Sequence, residues 1–130
     1  MEEWKPFPGF ERDYQISSMG RVFSTRRGRP KMLKPIEERR NGYNMVSLFG
    51  DDGKSHKVRI GRAVAVAFIP NPEGLPCVNH KDEIKTHDTV DNLEWCTKAY
   101  NTAYGTARQR ARETMMRNRG HMQAERRTCL

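Results

Sequence analysis

The sequence of 130 residues contains little cysteine and no long apolar run. Its three cysteines form no Cys-x-x-Cys pair, so a structural zinc site of the common kind is not expected. The odd number argues against a disulfide framework, and Cys77 and Cys96 are predicted to be small buried apolar side chains. The longest apolar run, residues 63–69, is too short to span a bilayer.

Signals for export or membrane attachment are also missing. The first four residues, Met-Glu-Glu-Trp, are acidic and do not resemble the start of a signal peptide. No stretch has the pattern of a basic amphipathic helix with a wide apolar face. We therefore expect a cytoplasmic protein with no membrane partner.

Positive charge is what the sequence has in excess. Lysine and arginine number 24 against 16 aspartates and glutamates, which gives a formal net charge of +8. Charge of this size and sign indicates a polyanionic partner, and nucleic acid is the commonest one. Because only 35% of the residues are hydrophobic, we expect a modest core divided into more than one small apolar cluster.

Short strands separated by turns are predicted in the first half of the chain. Gly20 can supply a turn between the first two strands, and Pro35 would confine the third to a sheet edge or a strand end. The last two form a hairpin around residues 50–53. The predicted strands are residues 14–17, 21–24, 31–36, 43–49 and 55–60.

A second compact unit is predicted at residues 77–101, after a short alanine-rich helix at residues 62–68 that Pro70 ends. In this unit a strand leads into His80, a polar loop follows, and a second strand at residues 93–96 precedes a helix for which Thr97 is a plausible N-cap. The pattern is strand, loop, strand and helix within about 30 residues.

Three polar residues of this unit suit hydrolysis of a phosphodiester bond. That reaction needs a general base, a cation and groups that orient both. A neutral imidazole such as that of His80 suits the first task, and the amides of Asn92 and Asn101 suit the others. We expect the strand–strand–helix unit to bring all three to one face, although a histidine and two asparagines also occur together by chance.

Sequence motifs around these residues resemble a known family. The stretches Val-Asn-His-Lys-Asp at 78–82 and Asp-Asn-Leu-Glu-Trp-Cys-Thr at 91–97, with Asn101, resemble the HNH endonucleases of phages and their homing-endonuclease relatives. Residues 62–72 are similar to the short helix that leads into that motif. Residues 4–24 resemble the small modular motif that precedes the nuclease unit in such proteins.

The resemblance implies a ββα-metal nuclease with roles for particular residues. His80 would be the general base, and Asn92 would orient His80 or the scissile phosphate. Asn101 and Asn79 would hold one divalent ion, Mg²⁺ or Mn²⁺, with Asn79 standing where some relatives carry aspartate. Asp82 would support the loop through backbone N–H groups. The loop departs from the family pattern where asparagine is frequent, at Ile84, His87 and Asp88.

The predicted fold class is α+β. We expect an N-terminal modular region of small antiparallel sheet at residues 1–40, an HNH nuclease domain at 41–106 and a basic helical arm at 107–130. The predicted partner is double-stranded DNA, bound by a monomer mainly through phosphate contacts. The candidate contacts are Arg21, Arg26, Arg27, Arg29, Lys31, Lys34, Arg108, Arg110 and Arg112.

Three functional hypotheses follow from the sequence. The first is a metal-dependent DNA endonuclease that nicks or cuts double-stranded DNA. The second is a DNA-binding module with a degenerate nuclease centre, a hypothesis that Asn79 and the altered loop motivate. The third is an accessory protein of a phage DNA-processing assembly, which would be expected to expose an apolar patch.

Overall fold

The structure is a computed structural model that describes residues 1–104. Within this range nine short strands form three antiparallel sheets, and two α-helices accompany them, so the α+β class is confirmed. No helix in this part of the chain is long and apolar enough to cross a bilayer. The predicted arm at residues 107–130 lies outside the described residues. The strands are β1 (Trp4–Pro6), β2 (Tyr14–Ser17), β3 (Val22–Ser24), β4 (Lys31–Leu33), β5 (Ile36–Glu37), β6 (Asn44–Phe49), β7 (Ser55–Arg59), β8 (Cys77–His80) and β9 (Leu93–Cys96); the helices are α1 (Ile60–Phe68) and α2 (Lys98–Ala103).

The first sheet contains β1 to β4 in chain order. The turn between β2 and β3 closes as predicted, with the Gly20 N–H donating to the Ser17 carbonyl at 3.0 Å. The strand predicted at residues 31–36 is wrong as one element. Proline has no N–H to donate to a sheet and restricts the residue before it, so the strand is interrupted at Pro35. β4 pairs with β3 on one side of the break, and β5 pairs with β6 on the other.

The second sheet has the order β5-β6-β7 and leads directly into α1. β6 and β7 form the predicted hairpin, with Val46 opposite Val58. α1 starts at Ile60, two residues before the predicted start, because the chain passes from strand into helix with Gly61 inside the first turn. It ends at Phe68, before Pro70, as the proline requires.

The third sheet is the β8–β9 hairpin, which α2 follows as predicted. The Thr97 hydroxyl accepts the Tyr100 backbone N–H at 3.1 Å, so the predicted N-cap is confirmed. Cys77 and Cys96 lie opposite each other in this hairpin, and both are buried. The prediction that both are buried is therefore confirmed, and Cys96 is a free thiol whose pKa burial raises to about 11.

The core of residues 1–104 is one cluster, so the expectation of several small clusters is wrong. The reason is α1, which contacts strands of all three sheets. Its Ile60 and Val64 are almost fully buried, and the cluster also includes Ile16 of the first sheet, Leu48 of the second and Val78 of the third. The three sheets therefore share one apolar interior rather than covering separate ones.

The N-terminal motif also touches the polar loop that follows His80. The Val90 backbone N–H donates to the Ser18 carbonyl at 2.9 Å. Gly20, at a φ of +78°, lies so close to the loop that an added Cβ would be 2.7 Å from the carbonyl oxygen of Asp88. Only glycine combines this backbone conformation with this approach.

Replacing Gly20 with alanine tests how much this contact contributes. Gly53 has a similar φ of +76° but open space around it, so Gly53→Ala is the matched control. The control should lower the free energy of unfolding by about 1 kcal/mol through the left-handed backbone alone, and Gly20→Ala by about 3 kcal/mol through the added clash. Urea denaturation measures both. Equal losses would contradict close packing of the motif against the loop.

Candidate functional site

His80 is the last residue of β8, and its side chain is held inside the protein. The imidazole is 5% exposed, and its Nε2 lies 2.7 Å from Oδ1 of Asp88, which is equally buried. Tyr43, 4% exposed, packs its ring beside the imidazole with the ring centroids 5.8 Å apart. A hydrogen bond on one side and an aromatic ring on another fix the orientation of the imidazole.

Asn79 is on the opposite face of the same strand, because successive side chains of a strand point to opposite faces. It lies opposite Glu94 of β9, and its Nδ2 donates to Oε2 of Glu94 at 2.8 Å. Tyr100 of α2 donates its hydroxyl to the same carboxylate oxygen at 3.4 Å. Burial, followed by the charge of Glu94, raises the pKa of Tyr100, so this hydroxyl keeps its proton. Asn101, the next residue of α2, is 3% exposed.

The donors on this face suit a hard divalent cation. Such cations prefer carboxylate and amide oxygens. The Nδ2 of Asn79 faces Glu94, so the Oδ1 of Asn79 is the atom left to bind a cation. The Glu94 carboxylate lies beside Asn79 and is the acidic group of this face. Within residues 1–104 no group of three His, Cys, Asp or Glu is placed to hold a metal ion, so a cation here would depend on amide oxygens. The residues present therefore fit one oxygen-bound ion.

The loop between β8 and β9 is braced by Asn92. Its Oδ1 accepts the Asp82 backbone N–H at 3.0 Å, and its Nδ2 donates to Oδ1 of Asp82 at 2.9 Å and to the His87 carbonyl at 2.8 Å. Asp82 also accepts the Ile84 backbone N–H at 2.9 Å and bonds to Nδ1 of His87. The hydrogen bond from His87 is the main cause that lowers the pKa of Asp82 to about 2, so its carboxylate is an acceptor at ordinary pH.

His80 and Asn92 belong to different hydrogen-bond networks of the unit. His80 faces Asp88 and the start of α1, where an added Cβ on Gly61 would lie 3.3 Å from Nε2. The helix that carries Asn101 contacts β8 on the side of Asn79 and Glu94. The side chain of Asn92 bonds within the loop and reaches His80 only through it.

The predicted DNA contacts fall into two groups. Arg21 is already paired with Glu2 at 2.5 and 2.8 Å, and this pairing lowers the pKa of Glu2 to about 2. Arg26 stacks on the ring of Phe49, 3.9 Å from its centroid. The remaining candidates within residues 1–104 are exposed and form no salt bridge there; they lie in the β3–β4 hairpin or directly after β4: Arg27, Arg29, Lys31 and Lys34. Arg108, Arg110 and Arg112 lie outside the described residues.

Sequence reasoning missed three residues of the site. Glu94 could have been found, because pairing the two predicted strands end to end places it opposite Asn79. Asp88 carries no local signal, since a loop residue has no periodicity that shows which way it points. Tyr43 reaches His80 only through the packing of the second sheet on the third, which the sequence does not encode locally.

Known proteins match the chain in sequence. Residues 2–49 match the NUMOD4 motif. The chain is 40% identical over 89 residues to an uncharacterized HNH endonuclease of Acanthamoeba polyphaga mimivirus, which covers 68% of this chain and 26% of that protein. It is 36% identical over 99 residues to the DNA endonuclease I-HmuI of Bacillus phage SP01, which covers 76% of this chain and 55% of that protein. The chain therefore spans about a quarter and about half of the lengths of these relatives.

A solved structure matches the fold. It is that of DNA binding and cleavage by the HNH homing endonuclease I-HmuI, with a TM-score of 0.64 and 33% sequence identity. The match covers 90% of this chain and 60% of that one. By its NUMOD4 motif, its relatives and its fold, the chain belongs to the HNH endonuclease family of the phage homing type.

Proposed function

We propose that this chain is a metal-dependent endonuclease that hydrolyses phosphodiester bonds of double-stranded DNA. The observation that carries the proposal is the oriented, buried His80 next in sequence to Asn79 and its carboxylate neighbour Glu94. Adjacent Cα atoms are about 3.8 Å apart, so a base and a set of cation donors lie on the two sides of one strand end.

In this mechanism His80 takes the proton of the attacking water. An imidazole is suited to this task near neutral pH, and a positioned general base typically contributes about 10² to 10⁴-fold in rate. Asp88 and Tyr43 hold the ring so that it does not have to be ordered when the substrate binds. Asn92 and Asp82 keep the loop that carries Asp88 in one conformation.

Asn79 and Asn101 are the proposed ligands of one divalent ion, Mg²⁺ or Mn²⁺, and Glu94 supplies the negative charge beside them. Such an ion would neutralise charge that develops on the phosphate and the leaving oxygen. The Glu94 carboxylate offsets the weaker binding expected of an amide at position 79. Tyr100 helps to keep that carboxylate in place.

DNA would be held mainly by the exposed basic hairpin between β3 and β4. Phosphate contacts give most of the affinity of such surfaces and weaken with salt. A two-stranded ribbon is also narrow enough to enter a major groove. I-HmuI, whose solved structure is one of DNA binding and cleavage, supports a DNA substrate for this chain. Its origin in a Bacillus phage supports action in a bacterial cytoplasm, and we propose a monomer as the active form.

Replacing His80 with glutamine should abolish cleavage. The glutamine amide can still donate to Asp88, so the buried carboxylate keeps a partner, but an amide is not a base. We expect Mg²⁺-dependent or Mn²⁺-dependent nicking of supercoiled plasmid by the wild type, none with chelator, and a loss of at least about 10²-fold in His80→Gln. Gel analysis of plasmid forms over time measures the rate.

His56→Gln is the matched control, because His56 is on the exposed β7 and bonds to Asp52. It should cleave at the wild-type rate. If the wild type binds DNA but does not cut it with either metal, the chain is a binding module with an inactive centre. Cleavage that survives in His80→Gln would mean that another residue is the base.

Replacing Glu94 with glutamine tests the cation site. Loss of the charge next to Asn79 should weaken Mn²⁺ binding by about 10-fold or more, as residues that support metal ligands commonly do. Titration calorimetry of the DNA-free protein with Mn²⁺ gives the dissociation constant. Glu73→Gln, a change at an exposed glutamate, should leave it as it is. An unchanged Mn²⁺ dissociation constant in Glu94→Gln would show that Glu94 is not part of the cation site.

The basic hairpin is tested by replacing Arg27 and Arg29 together with glutamine. Each phosphate contact removed should reduce the slope of log K against log salt by about 1, so the double variant should lose about 2 and bind unrelated DNA sequences similarly weakly. Arg21→Gln is the comparison, because Arg21 is already neutralised by Glu2 and should matter less. Fluorescence anisotropy at several salt concentrations provides both slopes. A larger effect of Arg21→Gln would place the DNA elsewhere.

A further inference from the structure

Asp88 is a buried carboxylate in a loop, and its surroundings are unusually closed. It is 5% exposed, and three separate parts of the chain approach it. Gly20 of the N-terminal motif touches its backbone carbonyl, and a Cβ added to Gly61, in the first turn of α1, would lie only 2.7 Å from Oδ1. Nε2 of His80 completes the enclosure at 2.7 Å.

The hydrogen bonds of this carboxylate are few. Its Oδ1 bonds to His80, whereas Oδ2 is buried and has no hydrogen-bond partner among residues 1–104. Burying a carboxylate is costly, and leaving one of its oxygens unsatisfied adds to the cost. The first turn of α1 offsets part of this cost, because the positive end of the helix dipole favours a negative charge there. An apolar side chain would fill the same space at lower cost, so packing alone does not explain an aspartate.

The chemistry of the pair does explain it. An ionised carboxylate is only an acceptor of hydrogen bonds, so the Nε2 that faces it must be the ring nitrogen that carries the proton. In a neutral imidazole the lone pair is then on Nδ1. The bond therefore selects one tautomer and one orientation of the His80 ring.

We propose that Asp88 is the positioning residue of His80 and sets Nδ1 as its basic atom. This inference rests on the proposed function, in which His80 is the general base, but the tautomer it requires is a property of the protein without substrate. Asp88 itself touches no substrate, because its carboxylate is buried between His80 and the first turn of α1 at Gly61. The N-terminal motif thus contributes to the active centre through the contact of Gly20 with the loop.

The first measurement uses the wild-type protein alone. With the four histidines labelled with ¹⁵N, two-bond proton–nitrogen correlation spectra at alkaline pH distinguish the two neutral tautomers. The signals of His80 are identified by their loss in His80→Gln. The expected result is a proton on Nε2 and a bare Nδ1. A proton on Nδ1 in the wild type would overturn the proposal without any further variant.

Two substitutions at position 88 then separate positioning from packing. Asp88→Leu removes the acceptor at similar volume, and Asp88→Asn keeps an acceptor oxygen. We expect kcat for plasmid nicking to fall about 10²-fold in Asp88→Leu, with unchanged KM and DNA affinity and with loss of the pure Nε2–H tautomer. Asp88→Asn should recover most of the rate and keep the tautomer. Asp91→Leu, at an exposed position of the same loop, is the matched control and should cleave normally.

The outcomes that overturn the proposal are specific. Wild-type kcat in a folded Asp88→Leu would do so, and so would a fall in kcat while His80 keeps the Nε2–H tautomer. If Asp88→Leu does not fold, the tautomer in the wild type and in Asp88→Asn decides the question. Absence of cleavage by the wild type would overturn the proposed nuclease function, whereas the spectra would still decide whether Asp88 sets the tautomer.

Discussion

The packing of α1 against all three sheets is the constraint on which the rest of the structure depends. Each sheet has only two to four short strands, and a two-stranded hairpin on its own is marginally stable in water. Ile60 and Val64 enter the shared interior and contribute about 1.5 to 3 kcal/mol each through burial. The Trp95 indole donates to the Ile69 carbonyl at 3.0 Å, which secures β9 to the end of the helix. Without α1 the sheets would have no common core.

The same helix also helps to position the residues of the candidate site. Its first turn lies against Asp88 and His80, so the start of the helix adjoins a buried carboxylate oxygen that has no hydrogen-bond partner among residues 1–104. The cation donors are on the other face of β8, covered by α2 rather than α1. The proposed base His80 and the proposed ligand Asn79 are therefore adjacent in sequence on two faces of one strand.

Much of this architecture could be predicted from local patterns. Alternating side chains, turn glycines and the Thr97 cap identified the hairpins and the ββα unit, and the motif around His80 identified the family. The predictions that were wrong concern contacts between residues that are far apart in sequence. Pro35 interrupted a strand whose two halves joined different sheets, and α1 merged the expected clusters into one. In the sequence, Asp88 is recognisable only as a departure from the family's loop pattern, because tertiary packing determines that its partner is His80.

The contact of the Ser18–Gly20 turn with the loop at Asp88 and Val90 has a consequence for recombination between enzymes of this kind. A motif joined by a flexible linker could be exchanged freely for a variant from a related chain. Here the exchanged piece would have to carry a glycine at the same turn and a carbonyl in reach of Val90, and it would have to complete the interior around α1. Exchange of the motif is therefore restricted to donors whose turn matches the recipient loop.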